Sequence, residues 1–293
     1  MKWKIEKTHE GMFIYDYLQK VHSFSRRIIT AIKFDGGKIL VNGSPQTVRY
    51  CLATGDLLTV VFPPEMIGNN LTPEEVPLDI VYEDEDIIVI NKMAGIATMP
   101  SINHQSGTIA NGLLSYYQEN HIPYTIHVVT RLDRDTSGLM LIAKHRYSHS
   151  LLAKSQIQGK IERSYKAVID GYLEQKRGEI NARIARKENS IIERTVSERG
   201  KEAVTYYEVV AEQQNKSLVD IVLGTGRTHQ IRVHFSHINH PLIGDDLYGK
   251  ADSQIDRHAL HCERLSFEHP LSKRKITLHM PIPADMNRLI ALT

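Results

Sequence analysis

The chain has 293 residues, of which 41% are hydrophobic and 24% are charged, as is ordinary for a globular protein. Its two cysteines exclude a disulfide framework, and it has neither an apolar run of membrane-spanning length nor the apolar segment of a signal peptide. We therefore expect a cytoplasmic monomer that does not bind membranes. The net charge is only +2, but residues 1–62 contain nine Lys or Arg and five Asp or Glu, whereas residues 63–86 contain eight acidic residues and no Lys or Arg.

The pattern of residues 1–62 predicts a small α+β domain. Apolar residues at helical spacing between positions 15 and 21 indicate a first helix, and Ser25 can cap a second one. The second helix would have an apolar face and a basic face, formed by Ile28, Ile29 and Ile32 and by Arg26, Arg27 and Lys33. Strands at 39–41 and 57–62 follow, and the Asn-Gly pair at 42–43 predicts a hairpin turn after the first of them.

Residues 63–78 predict an acidic linker. Four prolines and the Gly68–Asn70 stretch interrupt any regular element in this segment. Because its charges are all of one sign, we expect the segment to be extended and mobile.

Residues 79–293 predict the main domain. Helices are expected at 108–120, 145–158 and 228–238, among strands at 80–82, 87–90, 139–144, 164–170, 180–184, 203–210, 217–223, 259–267 and 275–280. Strands in runs with few helices between them favour an α+β fold, with a mixed, mainly antiparallel central sheet and flanking helices.

A polar run at 130–138 is the strongest candidate site in this domain. Asp133 lies between Arg131 and Arg134 there, and buried strands are predicted on both sides. Nearby positive charge favours an ionised carboxylate, which could grip a substrate or attack it as a nucleophile. On composition alone, a surface turn with a local ion pair remains the alternative.

The run Arg131-Leu132-Asp133, followed by Thr136-Ser137-Gly138, resembles the central motif of the RluA-type pseudouridine synthases. Four further blocks resemble this family in the expected order: Asn91-Lys92 with Gly95, Ser164–Val168, Gly224–His234, and His240–Asp245 with Leu247–Gly249. The sequence departs from the family pattern at Thr130, where His is usual, and at Met93, where Pro is usual. We expect the Thr130 difference to alter contacts with RNA and leave the chemistry intact.

The resemblance implies an enzyme that isomerises uridine in structured RNA without a cofactor. It implies that Asp133 is the catalytic carboxylate, that Arg232 is its basic partner, and that Tyr165 stacks on uracil and serves in proton removal. Asp135 falls on a variable position. Arg131 would take the place of the extruded base, and Lys92 and Arg227 would also bind RNA.

The N-terminal unit resembles the alpha-L RNA-binding domain, on the pieces Ser25-Arg26, Gly37, Val41–Gly43 and Gly55-Asp56. With Arg26, Arg27 and Lys33 as its RNA contacts, this domain enlarges the RNA footprint, so we expect ribosomal RNA as the substrate. Transfer RNA, or an inactive RNA-binding protein of the same fold, remains the alternative. The histidines 229, 234, 237, 240, 258 and 261 lack the spacing of a metal site, and we expect no metal.

Overall fold

The computed structural model describes residues 1–65, 71–101 and 104–290. The chain folds as α+β, as its pattern predicts. Its helices are α1 (Ile14–Asp16, continued by a π-helical turn at Tyr17–Val21), α2 (Arg26–Phe34), α3 (Ile109–Glu119), α4 (Arg146–Ile157), α5 (Gln230–His237) and α6 (Ala284–Ile290). A short 3₁₀ turn occupies Lys7–His9. Among the described helices, none is long and apolar enough to cross a membrane.

The strands form one large sheet, one small sheet and a separate hairpin. They are β1 (Lys2–Lys4), β2 (Lys38–Val41), β3 (Ser44–Pro45), β4 (Leu57–Val61), β5 (Ile80–Glu83), β6 (Ile87–Lys92), β7 (His127–Val128), β8 (Ser137–Ala143), β9 (Glu162–Asp170), β10 (Arg177–Asn181), β11 (Ile184–Arg186), β12 (Arg194–Val196), β13 (Val204–Gln213), β14 (Lys216–Leu223), β15 (Leu260–Glu268) and β16 (Lys275–His279).

The large sheet has the order β10-β13-β14-β9-β15-β8-β6-β5, with β16 beside β15 and β7 beside β8. All these pairings are antiparallel except that of β15 with β8. The expectation of a mixed, mainly antiparallel sheet is therefore confirmed. Strand β8 is buried along its whole length, because the core packs on both of its faces. Strands β11 and β12 form a hairpin separate from the large sheet, so the single strand expected at 180–184 is divided between β10 and this hairpin.

The N-terminal unit has the predicted elements. Ser25 caps α2 by accepting a hydrogen bond of 3.2 Å from the amide of Ile28, and the isoleucines of α2 are buried while its Arg and Lys residues are exposed. Asn42 and Gly43 have φ values of 51° and 84°, as the predicted turn requires. Strands β1, β4, β2 and β3 form its sheet.

The acidic segment 63–78 contacts the main domain through Glu65 and Glu74, which the expectation of an extended, mobile linker did not include. The carboxylate of Glu65 is buried and accepts hydrogen bonds from the amide and the Nε of Arg146, and it lies 2.5 Å from Nε2 of His127. Glu74 accepts hydrogen bonds from Asn111 and from the amide of Gly107. Specific partners for these carboxylates therefore outweigh the mutual repulsion that the composition suggests. Gly68–Asn70 lies outside the described residues.

The N-terminal unit and the main domain share an aromatic contact. Tyr147 in the first turn of α4 is 2% exposed, and its ring centroid lies 4.1 Å from that of Phe24. Its hydroxyl donates a 2.6 Å hydrogen bond to the carbonyl of His22. Phe62 lies beside the same ring, at 5.9 Å. A side chain of the main domain thus completes the core of the N-terminal unit.

Candidate active site

The loop between β7 and β8 holds Asp133 in a fixed backbone conformation. The hydroxyl of Thr98 donates to the carbonyl of Leu132 at 2.9 Å, and the ammonium group of Lys92 donates to the carbonyl of Arg134 at 2.8 Å. The guanidinium of Arg257 reaches the carbonyl of Asp135 at 3.2 Å. Because these three hydrogen bonds hold the backbone carbonyls on both sides of Asp133, its carboxylate has a defined position.

Gly138 and Thr130, both in the polar run at 130–138, stabilise this loop geometry through contacts inside the protein. Gly138 has φ +111°, and a Cβ there would lie 2.3 Å from the carbonyl oxygen of Cys262, so the parallel pairing of β8 with β15 requires glycine. Thr130 is fully buried, and its hydroxyl accepts a hydrogen bond of 2.9 Å from the amide of Leu141. The side chain of Thr130 therefore faces the protein, and the expectation that the difference at this position alters RNA contacts stays a prediction.

Arg232, on the first turn of α5, is shared by two carboxylates. Its Nε and Nη2 each donate a 2.7 Å hydrogen bond to Asp245, which is fully buried. Its Nη1 lies 3.6 Å from Oδ2 of Asp133. The structure thus brings Arg232 beside Asp133 as expected, but it corrects the assignment of the principal partner, which is Asp245. Asp245 also accepts the amides of Leu247 and Tyr248 at 3.1 Å.

Tyr165 lies at the centre of the sheet, on β9 opposite Cys262 of β15 and Ile221 of β14. It is 4% exposed and lines the same cavity as Asp133. Burial raises the pKa of the Tyr165 phenol above its ordinary value, so the group stays protonated at neutral pH. That state favours a stacking surface over a base. Cys262 is buried, and burial raises the pKa of its thiol to about 12.

Lys92 is buried rather than available to RNA, contrary to the expectation. It is 1% exposed, and its ammonium group donates to the carbonyls of Met93 and Ile96 at 2.9 Å as well as to that of Arg134. Burial lowers the pKa of Lys92 to about 7, although the charges of Asp135 and Asp133 oppose this change. Lys92 therefore joins the 93–96 turn to the loop that carries Asp133.

Asp133 opens into a cavity of about 410 Å³ with a basic lining. The lining side chains include the predicted Arg131, Tyr165 and Arg227, and also Arg163 and Gln156. Arg131 and Arg227 are exposed. The other predicted RNA contacts, Arg26, Arg27 and Lys33, are exposed on α2 in the N-terminal unit and do not line this cavity.

A second cavity of about 470 Å³ continues from the first, and the two share Gly226, Arg227 and Thr228. The β11–β12 hairpin and the loop after it contribute four further basic residues to its lining: Arg186, Arg194, Arg199 and Lys201. The sequence interpretation missed these residues and Arg163. For the residues of the hairpin and the loop after it, the signal was a run of basic residues in a segment without a motif, and the fold brings that segment close to the loop that carries Asp133.

The histidines near this site are bonded within the protein. Both ring nitrogens of His234 have partners, the Thr205 hydroxyl and the Ala182 carbonyl, each at 2.9 Å. Nε2 of His258 lies 2.8 Å from the hydroxyl of Thr136, and Nδ1 of His261 lies 2.9 Å from that of Ser137. His229 differs, because its Nε2 lies 3.9 Å from Oδ2 of Asp133. Sequence reasoning gave it no role.

Known proteins resemble the chain over most of its length. Residues 86–237 match the family described as RNA pseudouridylate synthase. A Bacillus subtilis protein named as an uncharacterized RNA pseudouridine synthase, YjbO, is 50% identical over 91% of this chain and 94% of its own length. Ribosomal large subunit pseudouridine synthase D of Escherichia coli O157:H7 is 40% identical over 74% of this chain and 71% of its own length. The structure of human RNA pseudouridylate synthase domain containing 1 has a TM-score of 0.58 at 23% identity, covering 72% of this chain and 86% of the human one, and supports the fold.

Proposed function

Because this chain belongs to the RNA pseudouridine synthase family, we propose that it isomerises specific uridines of structured ribosomal RNA, with Asp133 as the catalytic carboxylate. The observation that carries the assignment is the placement of this carboxylate, beside Arg232 and in one basic cavity with Tyr165. Asp135, its neighbour in the loop, is instead bonded to Arg134 through both oxygens at 2.9 Å.

In the proposed reaction, the carboxylate of Asp133 attacks C1′ of the ribose, and the bond from C1′ to N1 of uracil breaks. The freed base turns over Tyr165, and its C5 bonds to C1′ while the carboxylate leaves. The hydrogen at C5 departs as a proton to that carboxylate, N1 gains a proton from water, and the carboxylic acid of Asp133 returns its proton to the hydroxide that this leaves. No electron is lost or gained, so the reaction needs no redox cofactor.

The shape of the site supports a base that has been turned out of its RNA helix. Tyr165 lies at 4% exposure on a central strand, which a base stacked within an RNA helix does not reach. Exposed Arg131 is placed to fill the vacated stack, since a guanidinium is planar and can also bond phosphates. The basic lining of the adjoining cavity would hold the flanking phosphates.

The N-terminal unit would supply a second RNA contact through the exposed basic face of α2. Ribosomal RNA is favoured over transfer RNA because two separate basic surfaces suit a large folded substrate. The name of the E. coli relative, a ribosomal large subunit enzyme, points the same way.

The decisive experiment maps pseudouridine in the RNA of cells with and without this gene. We expect one or more ribosomal RNA sites to lose the modification and to regain it when the wild-type gene, but not the Asp133→Asn variant, is restored. Loss confined to transfer RNA would move the substrate to that class. Unchanged pseudouridine in all RNA would indicate an RNA-binding protein without activity.

A further inference from the structure

His229 has a backbone conformation that its position immediately before α5 does not explain. It precedes α5 with φ 56° and ψ 20°, the left-handed region, where a Cβ lies too close to the following carbonyl oxygen. Its side chain does not cap the helix. Such a conformation persists where surrounding contacts enforce it, and it is common near active sites.

Two hydrogen bonds of Tyr248 bear on which nitrogen of the His229 ring carries the proton. The hydroxyl of Tyr248 lies 2.8 Å from Nδ1 of His229, and the same oxygen accepts a 2.8 Å hydrogen bond from the amide of Arg194. Among the described contacts of Tyr248, Nδ1 is the one acceptor for the phenolic proton. This arrangement favours Tyr248 as the donor to Nδ1, which puts the proton of neutral His229 on Nε2.

The protonated Nε2 faces the catalytic carboxylate. It lies 3.9 Å from Oδ2 of Asp133, the same oxygen that Nη1 of Arg232 approaches at 3.6 Å. Both donors therefore approach the same oxygen, Oδ2, each from just beyond hydrogen-bond distance. The ring itself is largely enclosed, with a side-chain exposure of 13%, so its direction is fixed.

We propose that His229 is a positioning residue for Asp133, which uses Nε2–H to orient the carboxylate while Tyr248 fixes the tautomer. This inference rests on the proposed function, since it assumes that Asp133 is the nucleophile. It also links the β11–β12 hairpin to the chemistry, because Arg194 begins β12 and holds Tyr248 in place. A neutral donor turns the carboxylate without adding a second full positive charge beside it. Burial lowers the pKa of His229, which keeps the ring neutral.

Two amide substitutions separate the roles of the two ring nitrogens. The shorter amide of His229→Asn can replace Nδ1 and bond Tyr248, and Asn tolerates the left-handed backbone. The longer amide of His229→Gln can reach the position of Nε2 and donate to Asp133. Each variant is assayed for the single-turnover rate constant and the Kd on the ribosomal RNA fragment that the mapping identifies, and its thermal midpoint is measured.

We expect the Gln variant to stay within about tenfold of the wild-type rate constant and the Asn variant to lose about 100-fold, with the RNA Kd of both within about threefold of wild type. A rate for Asn equal to or above that for Gln, or a loss confined to Kd, would overturn the inference. Should either variant fail to fold, Tyr248→Phe replaces it: a rate constant about tenfold lower at unchanged Kd supports the inference, and an unchanged rate overturns it.

The Asp133→Asn variant keeps the two proposals apart. If it turns over the same RNA at the wild-type rate, the proposed function fails, and the role of His229 fails with it. If it is inactive while Asn serves as well as Gln at position 229, the proposed function stands and the inference about His229 alone is lost.

Discussion

Arg232 donates two hydrogen bonds of 2.7 Å to Asp245, whose side chain is completely shielded from solvent. Since Asp245 offers this guanidinium a partner in the interior, Asp133 does not have to do so. Asp133 can approach Arg232 at 3.6 Å and still keep a side-chain exposure of 27% toward the cavity. A structural ion pair and the proposed catalytic carboxylate thus share one cation.

Breaking this pair is predicted to destabilise the fold. Arg232→Met leaves the buried carboxylate of Asp245 without its cation and should lower the free energy of unfolding by about 3–5 kcal/mol. In double-mutant cycles measured by denaturant unfolding, coupling to Asp245→Asn should exceed coupling to Asp133→Asn by about 1 kcal/mol or more. The exposed Arg227→Met is the control, with a change within about 0.5 kcal/mol. Stronger coupling to Asp133 would contradict the assignment of partners.

Of the two aspartates in the loop between β7 and β8, Asp133 is predicted to be catalytic and Asp135 is not. Asp133→Asn should reduce the single-turnover rate constant at least about 10⁴-fold, since an amide cannot act as the nucleophile. RNA affinity should change little, because phosphate contacts dominate it. Asp135→Asn, which keeps a polar neighbour for Arg134, should cost about tenfold or less. Turnover by the Asp133 variant within tenfold of wild type would reject its role.

The acid stability of the protein is predicted to depend on Glu65. Burial alone would raise the pKa of this carboxyl, but its bonds to His127 and Arg146 outweigh burial and lower the pKa to about 2. Because the folded pKa lies below that of the unfolded chain, the stabilisation is present above about pH 4.5 and is lost as the pH falls toward 2. Glu65→Gln should therefore be less stable than wild type by up to about 3 kcal/mol at pH 7, with a difference that shrinks below pH 4. The free energy of unfolding in urea is measured for both proteins over a range of pH, and Glu75→Gln, at an exposed position, is the control. A difference between wild type and Glu65→Gln that does not depend on pH would refute the prediction.

The N-terminal unit is predicted to unfold together with the main domain. Tyr147 is buried between them, so calorimetry of the wild-type protein should show one transition. Tyr147→Ala removes the shared ring and should separate the N-terminal unit into an earlier transition, with a loss of about 3–5 kcal/mol in its stability. Tyr172→Ala is the control, since Tyr172 is 48% exposed. Two transitions already in the wild type would mean that the contact is too weak to couple the two parts.

The basic face of α2 is predicted to set part of the salt dependence of RNA binding. Replacing Arg26, Arg27 and Lys33 with Gln should reduce the slope of log K against log salt by about 2 to 3, if each contacts one phosphate. The matched control replaces Lys176, Arg177 and Lys273, which are each paired with a glutamate. An unchanged slope in the α2 variant would remove the N-terminal unit from the RNA interface.

The periodicity of hydrophobic residues predicted the secondary structure well, because an element with one buried face has apolar residues at regular intervals in the sequence. The predicted helix at 108–120 is α3, whose N-cap Thr108 accepts a hydrogen bond from the amide of Asn111. The terminal helix α6 was not predicted; it has seven residues, of which Met286 and Leu289 are buried. So short an apolar repeat resembles that of a loop.

The identity of ion partners could not be predicted in the same way. The motif places Arg232 near a carboxylate, but the choice between Asp133 and Asp245 depends on how the loop after α5 folds back onto the helix. Lys92 illustrates the same limit. A lysine at a strand end is ordinarily solvated, and only the arrangement of three carbonyls around its ammonium group makes burial tolerable.

The ring of Tyr147 against Phe24 also bears on which RNA molecules can be selected. If the basic face of α2 and the basic cavity near Asp133 bind one RNA, they bind it at a fixed separation, since the Tyr147 contact sets the distance between them before the RNA binds. Because the N-terminal unit and the main domain are already ordered relative to each other, no entropy is lost in ordering them when the RNA binds. An RNA that presents its target uridine and its second phosphate cluster at another spacing would engage only one surface and dissociate sooner. Substrate choice would thus be set by three-dimensional distance within the folded RNA as well as by the bases beside the uridine.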